Sequence, residues 1–193
     1  MEEKIAISRL KQGNPDGLEH LVMAYQTRAV HTAYMIVGDR SQAEDIAQTA
    51  FVCVAEKIRQ FDEARPFAPW FFRIVINEAL RVARQQKRSV ALEDDPDGEV
   101  MAAARWLTDP KPQPEKLVEF SETRQVLLRA LQRLKPEQRA VVVMAYYLEM
   151  SAADMAARLD QPVSTIKWWL RAARERLASL LRASRNFEDR ERR

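Results

Sequence analysis

Residues 151–182 leave this chain few ways to fold. Ser151-Ala-Ala-Asp-Met-Ala-Ala-Arg-Leu159 carries the S-x-x-D spacing of a capping box, Ser151 to Asp154, at the start of a short helix. Asp160-Gln-Pro162 then reads as a turn, because Pro162 cannot continue the first helix. Ser164 is placed to cap a second helix running from about Thr165 to Arg182. At 100° per residue, Ile166, Trp169, Leu170, Ala173 and Leu177 share one side of it, while Lys167, Trp168, Arg171 and Arg174 share the other. Two helices locked by a tight turn, the second with a cationic outer face, form the device that enters a DNA major groove. A helical hairpin with a merely solvated charged face is the alternative that the pattern leaves open.

The rest of the chain is also helical in texture, so the expected fold is all-α, in two small helical domains. Nothing alternates at period two for long, and only four glycines occur among 193 residues. Hydrophobic residues make up 47%, enough for cores. The net charge is only +3, so the positions where charge clusters matter more than its sum. Residues 5–88 form a dense helical pattern broken at Gly13-Asn-Pro-Asp-Gly17 and Val37-Gly-Asp-Arg40. Residues 89–114 contain Glu93, Asp94, Asp95, Asp97 and Glu99 together with Pro96, Pro110, Pro112 and Pro114, and read as an acidic linker in which 100–107, with Trp106, forms at most a short docked helix. Residues 115–183 form the second domain, and 184–193 a charged tail expected to fray. Cys53, the single cysteine, excludes an internal disulfide and sits in an apolar helical run as a small core residue. No apolar run reaches membrane-spanning length, and the acidic start, Met1-Glu-Glu-Lys, lacks a signal-peptide block. A soluble, cytoplasmic protein with no membrane insertion is expected.

Two further constellations stand out in the first domain. Phe61–Trp70 reads as a loop stiffened by Pro66 and Pro69, followed by a helix with a core stripe of Phe71, Ile74, Val75, Ala79 and Val82. Opposite that stripe lie Arg73, Asn77, Arg81, Arg84 and Arg88, with almost no acidic balance, a face that can track a phosphate backbone. Phe67 and Trp70 at its entrance offer flat surfaces for unstacked bases, unless they are core. The helix over residues 41–60 has a buried stripe of Ala43, Ile46, Ala47, Ala50, Val54 and Ile58. Its outer face carries Asp45, Gln48, Val52, Glu56 and Arg59, and a valine among charges suits docking to a basic protein partner.

Catalysis is not expected, nor is a metal or cofactor. The only histidines, His20 and His31, lie on helices expected to pack and have no ligand partner at usable spacing, one cysteine cannot build a zinc site, and no G-x-x-x-x-G-K-[ST] or G-x-S-x-G occurs.

Taken together, these motifs resemble the bacterial extracytoplasmic-function (ECF) group of the sigma-70 family. Ala43-Glu-Asp-Ile-Ala-Gln48 with Phe51 is similar to the A-E-D-L-x-Q-x-x-F of region 2.2, and Trp70-Phe-Phe-Arg-Ile-Val-Ile-Asn77 to the W-L-x-x-I-A-x-N of regions 2.3 and 2.4. Leu134-Lys-Pro-Glu-Gln-Arg139 resembles the L-P-x-x-x-R that opens region 4, and Met155-Ala156 and Thr165-Ile-Lys167 fall where its I-A and T-V-K occur. The resemblance implies region 2 over 5–88 and region 4 over 115–183. It implies a subunit that binds core RNA polymerase, recognises −35 and −10 promoter elements and promotes DNA melting. Asp45, Gln48, Val52 and Glu56 would meet the β′ clamp helices, and region 4 the β flap. Phe67 would hold a flipped base. Trp70, Arg73, Asn77, Arg81, Arg84 and Arg88 would serve the −10 strand. Ser164, Thr165, Lys167, Trp168, Arg171 and Arg174 would serve the −35 duplex. The acidic linker would thread through polymerase, and an anti-sigma protein is an implied partner. The chain departs from the family pattern at Thr49 (Glu in the family), Arg81 (Asp), Ser164 (Gly), Trp168-Trp169 (Ser-Arg) and Ala172 (Arg). The competing reading is a stand-alone helix-turn-helix regulator that never engages polymerase. It leaves the Ala43–Phe51 signature and the basic helix unexplained.

Overall fold

The computed structural model describes the backbone of residues 2–89 and 124–191, and the side chains of 2–86 and 124–183. Every regular element among them is helical. The linker beyond Ser89, Trp106 and the expected start of the second domain at Glu115 lie outside the described residues.

The first domain is built from α1 (Glu3–Lys11), α2 (Asp16–Val37), α3 (Arg40–Lys57), a 3₁₀ turn (Ile58–Gln60) and α4 (Phe67–Ser89). Each break has a local cause. Gly13, at φ +85°, turns the chain out of α1. Gly17 lets α1 and α2 cross with almost no gap, since a Cβ there would stand 2.3 Å from the Ala6 carbonyl oxygen. Gly38, at φ +84°, ends α2 as a left-handed cap. Asp39 then starts α3, its carboxylate accepting from the Gln42 N–H at 2.6 Å. His20 and His31 both lie on α2 rather than on two packed helices; eleven residues at about 1.5 Å rise place them roughly three turns apart.

Helix α2 runs through the middle and packs against α1, α3 and α4. The expected buried stripe of α3 is buried in full. Helix α4 begins at Phe67, earlier than the loop reading allowed, because Pro69 falls in its first turn, where the missing N–H is not needed. It buries Phe71, Phe72, Val75, Ile76, Ala79, Leu80 and Ala83, a broader stripe than expected, with Ile74 and Val82 only half-buried at its edge.

The second domain comprises α5 (residues 124–132), α6 (Pro136–Tyr146), α7 (Ala152–Leu159) and α8 (Val163–Glu191). The capping box opens α7 as the sequence predicts: the Ser151 hydroxyl accepts from the Asp154 N–H at 3.1 Å and donates to the Asp154 carboxylate at 2.6 Å. Asp160, at φ +51°, closes α7 in the left-handed region that Asp tolerates. The second helix starts at Val163, so Ser164 is inside its first turn and is not its cap; the Ile166 N–H reaches the Pro162 carbonyl at 3.2 Å, which makes Pro162 the capping residue. Its far end also differs from expectation, for α8 continues through the charged tail to Glu191.

The two domains are not separate bodies. Helix α6 packs against both α2 and α4, and its Ala140, Val141, Val143 and Met144 belong to the same buried cluster as Tyr34, Ile36 and Phe72.

Candidate functional site

Three exposed faces carry the residues that the sequence singles out. On α3, Asp45, Gln48, Val52 and Glu56 recur at three- and four-residue intervals and are all exposed, Val52 by 53%. Behind them, Ala47, Ala50, Phe51 and Val54 are buried, so this face is held rigidly from beneath.

On α4, Arg73, Asn77, Arg81 and Arg84 are exposed along one side, and the side chain of Arg88 lies outside the described residues. The stripe is less purely cationic than expected. Glu78, three residues before Arg81, pairs with it, and this hydrogen bond holds the Glu78 carboxyl below its ordinary pKa and the Arg81 guanidinium above its own. Arg84 pairs with Glu137 of α6, Nε to Oε1 at 2.9 Å.

Phe67 is buried here rather than presented to solvent. It is 1% exposed and sits among Tyr25, Phe61, Trp70 and Phe71 at centroid distances of 5.4–5.8 Å, because helix α4 turns it inward at its first residue. Trp70 is half-buried, tilted against Phe61 at 5.1 Å. It lines a cleft of about 530 Å³ with Arg65, Arg73 and, across from them, Asp154 and Arg158 of α7.

On α8, Ile166, Leu170 and Ala173 are buried, with Trp169 and Leu177 packed against them, as the helical phase requires. Lys167, Trp168, Arg171 and Arg174 face outward, Trp168 by 62%; Ser164 is exposed and Thr165 half-buried. Arg171 pairs with Glu175 at 2.9 Å, an exposed i,i+4 contact that a nucleic acid can displace at little cost.

A fourth set of residues joins the two domains. Arg139 is 8% exposed and has no carboxylate partner among the described residues. Its guanidinium donates to the carbonyl of Ile36, to the Gln132 side chain, and to the carbonyls of Gln132 (3.3 Å) and Leu134 (3.2 Å). Burial alone pulls its pKa down to about 10. Gln132 also donates to the Met35 carbonyl at 3.4 Å, and Arg158 donates to that of Pro69. In the sequence Arg139 stands as the last residue of the Leu134–Arg139 motif, and the apolar run Ala140-Val-Val-Val-Met144 beside it is the signal for its burial.

Among the described residues, no group of His, Cys, Asp or Glu is arranged to hold a metal ion, and no helix is long and apolar enough to cross a membrane.

A helix-turn-helix with a cationic outer face, joined in one chain to a helical domain with a basic stripe, defines a two-domain DNA-binding protein. Comparison with known proteins narrows that class. Sigma-70 region 2 matches residues 21–89, and Sigma-70, region 4 matches residues 124–177. The chain is 29% identical over 180 residues to the ECF RNA polymerase sigma factor SigW of Bacillus subtilis, covering 93% of this chain and 96% of that one. It is 30% identical over 138 residues to the ECF RNA polymerase sigma factor RpoE of Cereibacter sphaeroides, covering 71% of each. In fold it is similar to CnrH, solved in complex with the cytosolic domain of CnrY (TM-score 0.64, 22% identity, 94% of this chain and 97% of that one). It is also similar to the sigma factor RpoE of Bartonella quintana, solved in complex with the anti-sigma factor NepR (TM-score 0.62, 20% identity, 85% and 96%). The chain belongs to the ECF RNA polymerase sigma factors, the subunits that bind core RNA polymerase, recognise −35 and −10 elements and promote DNA melting. Its region 2 match sets aside the stand-alone regulator.

Proposed function

We propose that each exposed face performs one step of initiation. Asp45, Gln48, Val52 and Glu56 seat α3 on the β′ clamp helices of core polymerase, and region 4 engages the β flap. Arg73, Asn77, Arg81, Arg84 and Arg88 hold the −10 strand by its phosphates, and Trp70 receives an unstacked base. Ser164, Thr165, Lys167, Trp168, Arg171 and Arg174 place α8 in the −35 major groove. The chain does no covalent chemistry of its own and acts in the cytoplasm, where its polymerase and promoters are. An anti-sigma protein is its natural competitor, in keeping with the complex of the Bartonella quintana relative.

The observation that carries this reading is the exposed cationic side of α4 standing on a fully buried aromatic base. Such a base fixes the side chains without their having to fold on DNA. The test is run-off transcription by core polymerase plus this protein, on templates drawn from a library with randomised −35 and −10 segments. Transcripts should start from a recurring pair of elements with the wild-type chain. They should be lost when Arg73 and Asn77 are both replaced by alanine in a protein that still binds core. Undiminished transcription by that variant would remove the −10 role from α4.

A further inference from the structure

We infer that Trp168 reads the 5-methyl group of one thymine in the −35 element, so that part of this chain's promoter choice is made by an apolar contact rather than by its cations. The inference rests on the −35 role proposed for α8. Two adjacent tryptophans stand in the second turn of that helix, about 100° apart around its axis. Trp169 packs against the buried cluster. Trp168 is 62% exposed, and among the described residues no ring contact or side-chain hydrogen bond holds it. Its neighbours at three and four residues along the helix are Ser164, Thr165, Arg171 and Ala172. Three of these are short, and Arg171 is drawn toward the far end of the helix by its pair with Glu175. The indole therefore stands above the surface around it.

The two flanks of the ring differ. Lys167, Arg171 and Arg174 follow on one side by helical phase, all exposed, and can take the phosphates that border a groove. Thr165 and Ala172, small and half-buried, follow on the other. A protruding apolar ring beside three cations suits a polyanion that also offers an apolar patch at close range. Among the four bases only thymine shows a methyl group in the major groove. The indole N–H fits the same base. It is a donor with no accepting partner of its own, and thymine places its O4 acceptor beside the methyl, whereas cytosine presents a donor there that an indole cannot accept. The second turn of a recognition helix, close to its N-terminal end, is also where side chains reach base edges.

The test uses holoenzyme assembled from core polymerase and the full-length chain. A −35 element is first selected from a duplex library randomised over that segment. Its thymines are then replaced one at a time by uracil, which removes the methyl and leaves every hydrogen-bonding group in place. At one thymine the replacement should weaken equilibrium binding by about fourfold, the worth of one buried methyl-sized group, and at the others hardly at all. Holoenzyme carrying Trp168→Ala should bind the thymine and uracil forms of that position alike. A recurring −35 element that contains no thymine, or whose thymines all tolerate uracil, overturns the proposal without any variant. A methyl preference that persists in Trp168→Ala overturns it as well. A library that yields no recurring −35 element removes the −35 role of α8 itself and this proposal with it, so the two failures give different results.

Discussion

Replacing Phe67 tests whether the mouth of α4 is core or contact surface. A buried aromatic ring removes about 150–250 Å² from water. At about 25 cal/mol per Å² that is roughly 4–6 kcal/mol, and Phe→Ala substitutions in cores cost about 3–5 kcal/mol. Phe67 has the full environment for such a cost: 1% exposure and four aromatic neighbours. Swinging the ring out to meet a base would sacrifice the same amount, against a stacking return of only about 1–3 kcal/mol. The expected outcome is that Phe67 stays in and that Trp70, half-buried beside it, is the ring that meets the base. In urea titrations followed by helical circular dichroism, Phe67→Ala should lose about 3–5 kcal/mol, a large part of a stability that is about 5–15 kcal/mol for ordinary domains. Phe67→Leu, which keeps most of the volume, should recover much of that loss. Permanganate reactivity of promoter thymines should then be normal with Phe67→Leu and reduced with Trp70→Leu. A Phe67→Leu protein that is folded and binds core yet leaves the thymines unreactive would refute the reasoning, because it would show that the ring itself reaches DNA.

Asp45→Arg should weaken association with core polymerase by on the order of 2–5 kcal/mol where the contact is desolvated, without loss of helix content; pull-down of core at parental affinity would remove α3 from the interface. Arg171→Ala and Lys167→Ala should each relax the preferred base at one −35 position, a discrimination of about 1–3 kcal/mol, and selection from a randomised duplex library reads this directly. Arg174→Ala should instead weaken all sequences alike and reduce the salt slope by about one. The Ser151 hydroxyl, with help from its backbone N–H, holds the Asp154 carboxyl below its ordinary value of 3.8. That capping contribution is complete above the unfolded value and is lost as pH falls through the lowered folded one. Acid melts of Ser151→Ala should therefore show a deficit that narrows at low pH, as the hydroxyl's bond to the Asp154 carboxylate is lost, without vanishing, because the bond from the Asp154 N–H to the hydroxyl does not titrate.

Local chemistry was readable in the sequence wherever a residue acts on its own neighbours. The Ser151–Asp154 box, the Asp160 turn and the burial of Ile166, Leu170 and Ala173 follow from spacing alone. The errors also have local causes. Ser164 is an intrinsically better cap than Pro162, but Pro162 already has the fixed φ that the preceding turn needs, and the helix begins directly after it. Phe67 reads as loop because two prolines flank it, yet the first turn of a helix accommodates Pro69. The α4 stripe reads as unbalanced in the sequence because Glu78, the partner of Arg81, lies three residues before it and off the stripe. The contact between the domains left no such trace. Its acceptors are mostly carbonyl oxygens, which every residue has, and the Arg84–Glu137 pair joins residues 53 apart.

That choice of acceptors affects how the contact tolerates change. Region 4 supplies side-chain donors (Gln132, Arg139 and Arg158), and region 2 answers with the main chain of Met35, Ile36 and Pro69. Substitutions at Met35 or Ile36 leave those oxygens where they are, so drift on the region 2 side barely touches the bonds. An insertion or deletion in α2, by contrast, rotates the last carbonyls by about 100° per residue and removes them from reach. These bonds, unlike the apolar packing around Ile36 and the Arg84–Glu137 pair, are thus robust to point mutation and intolerant of a change in helix length.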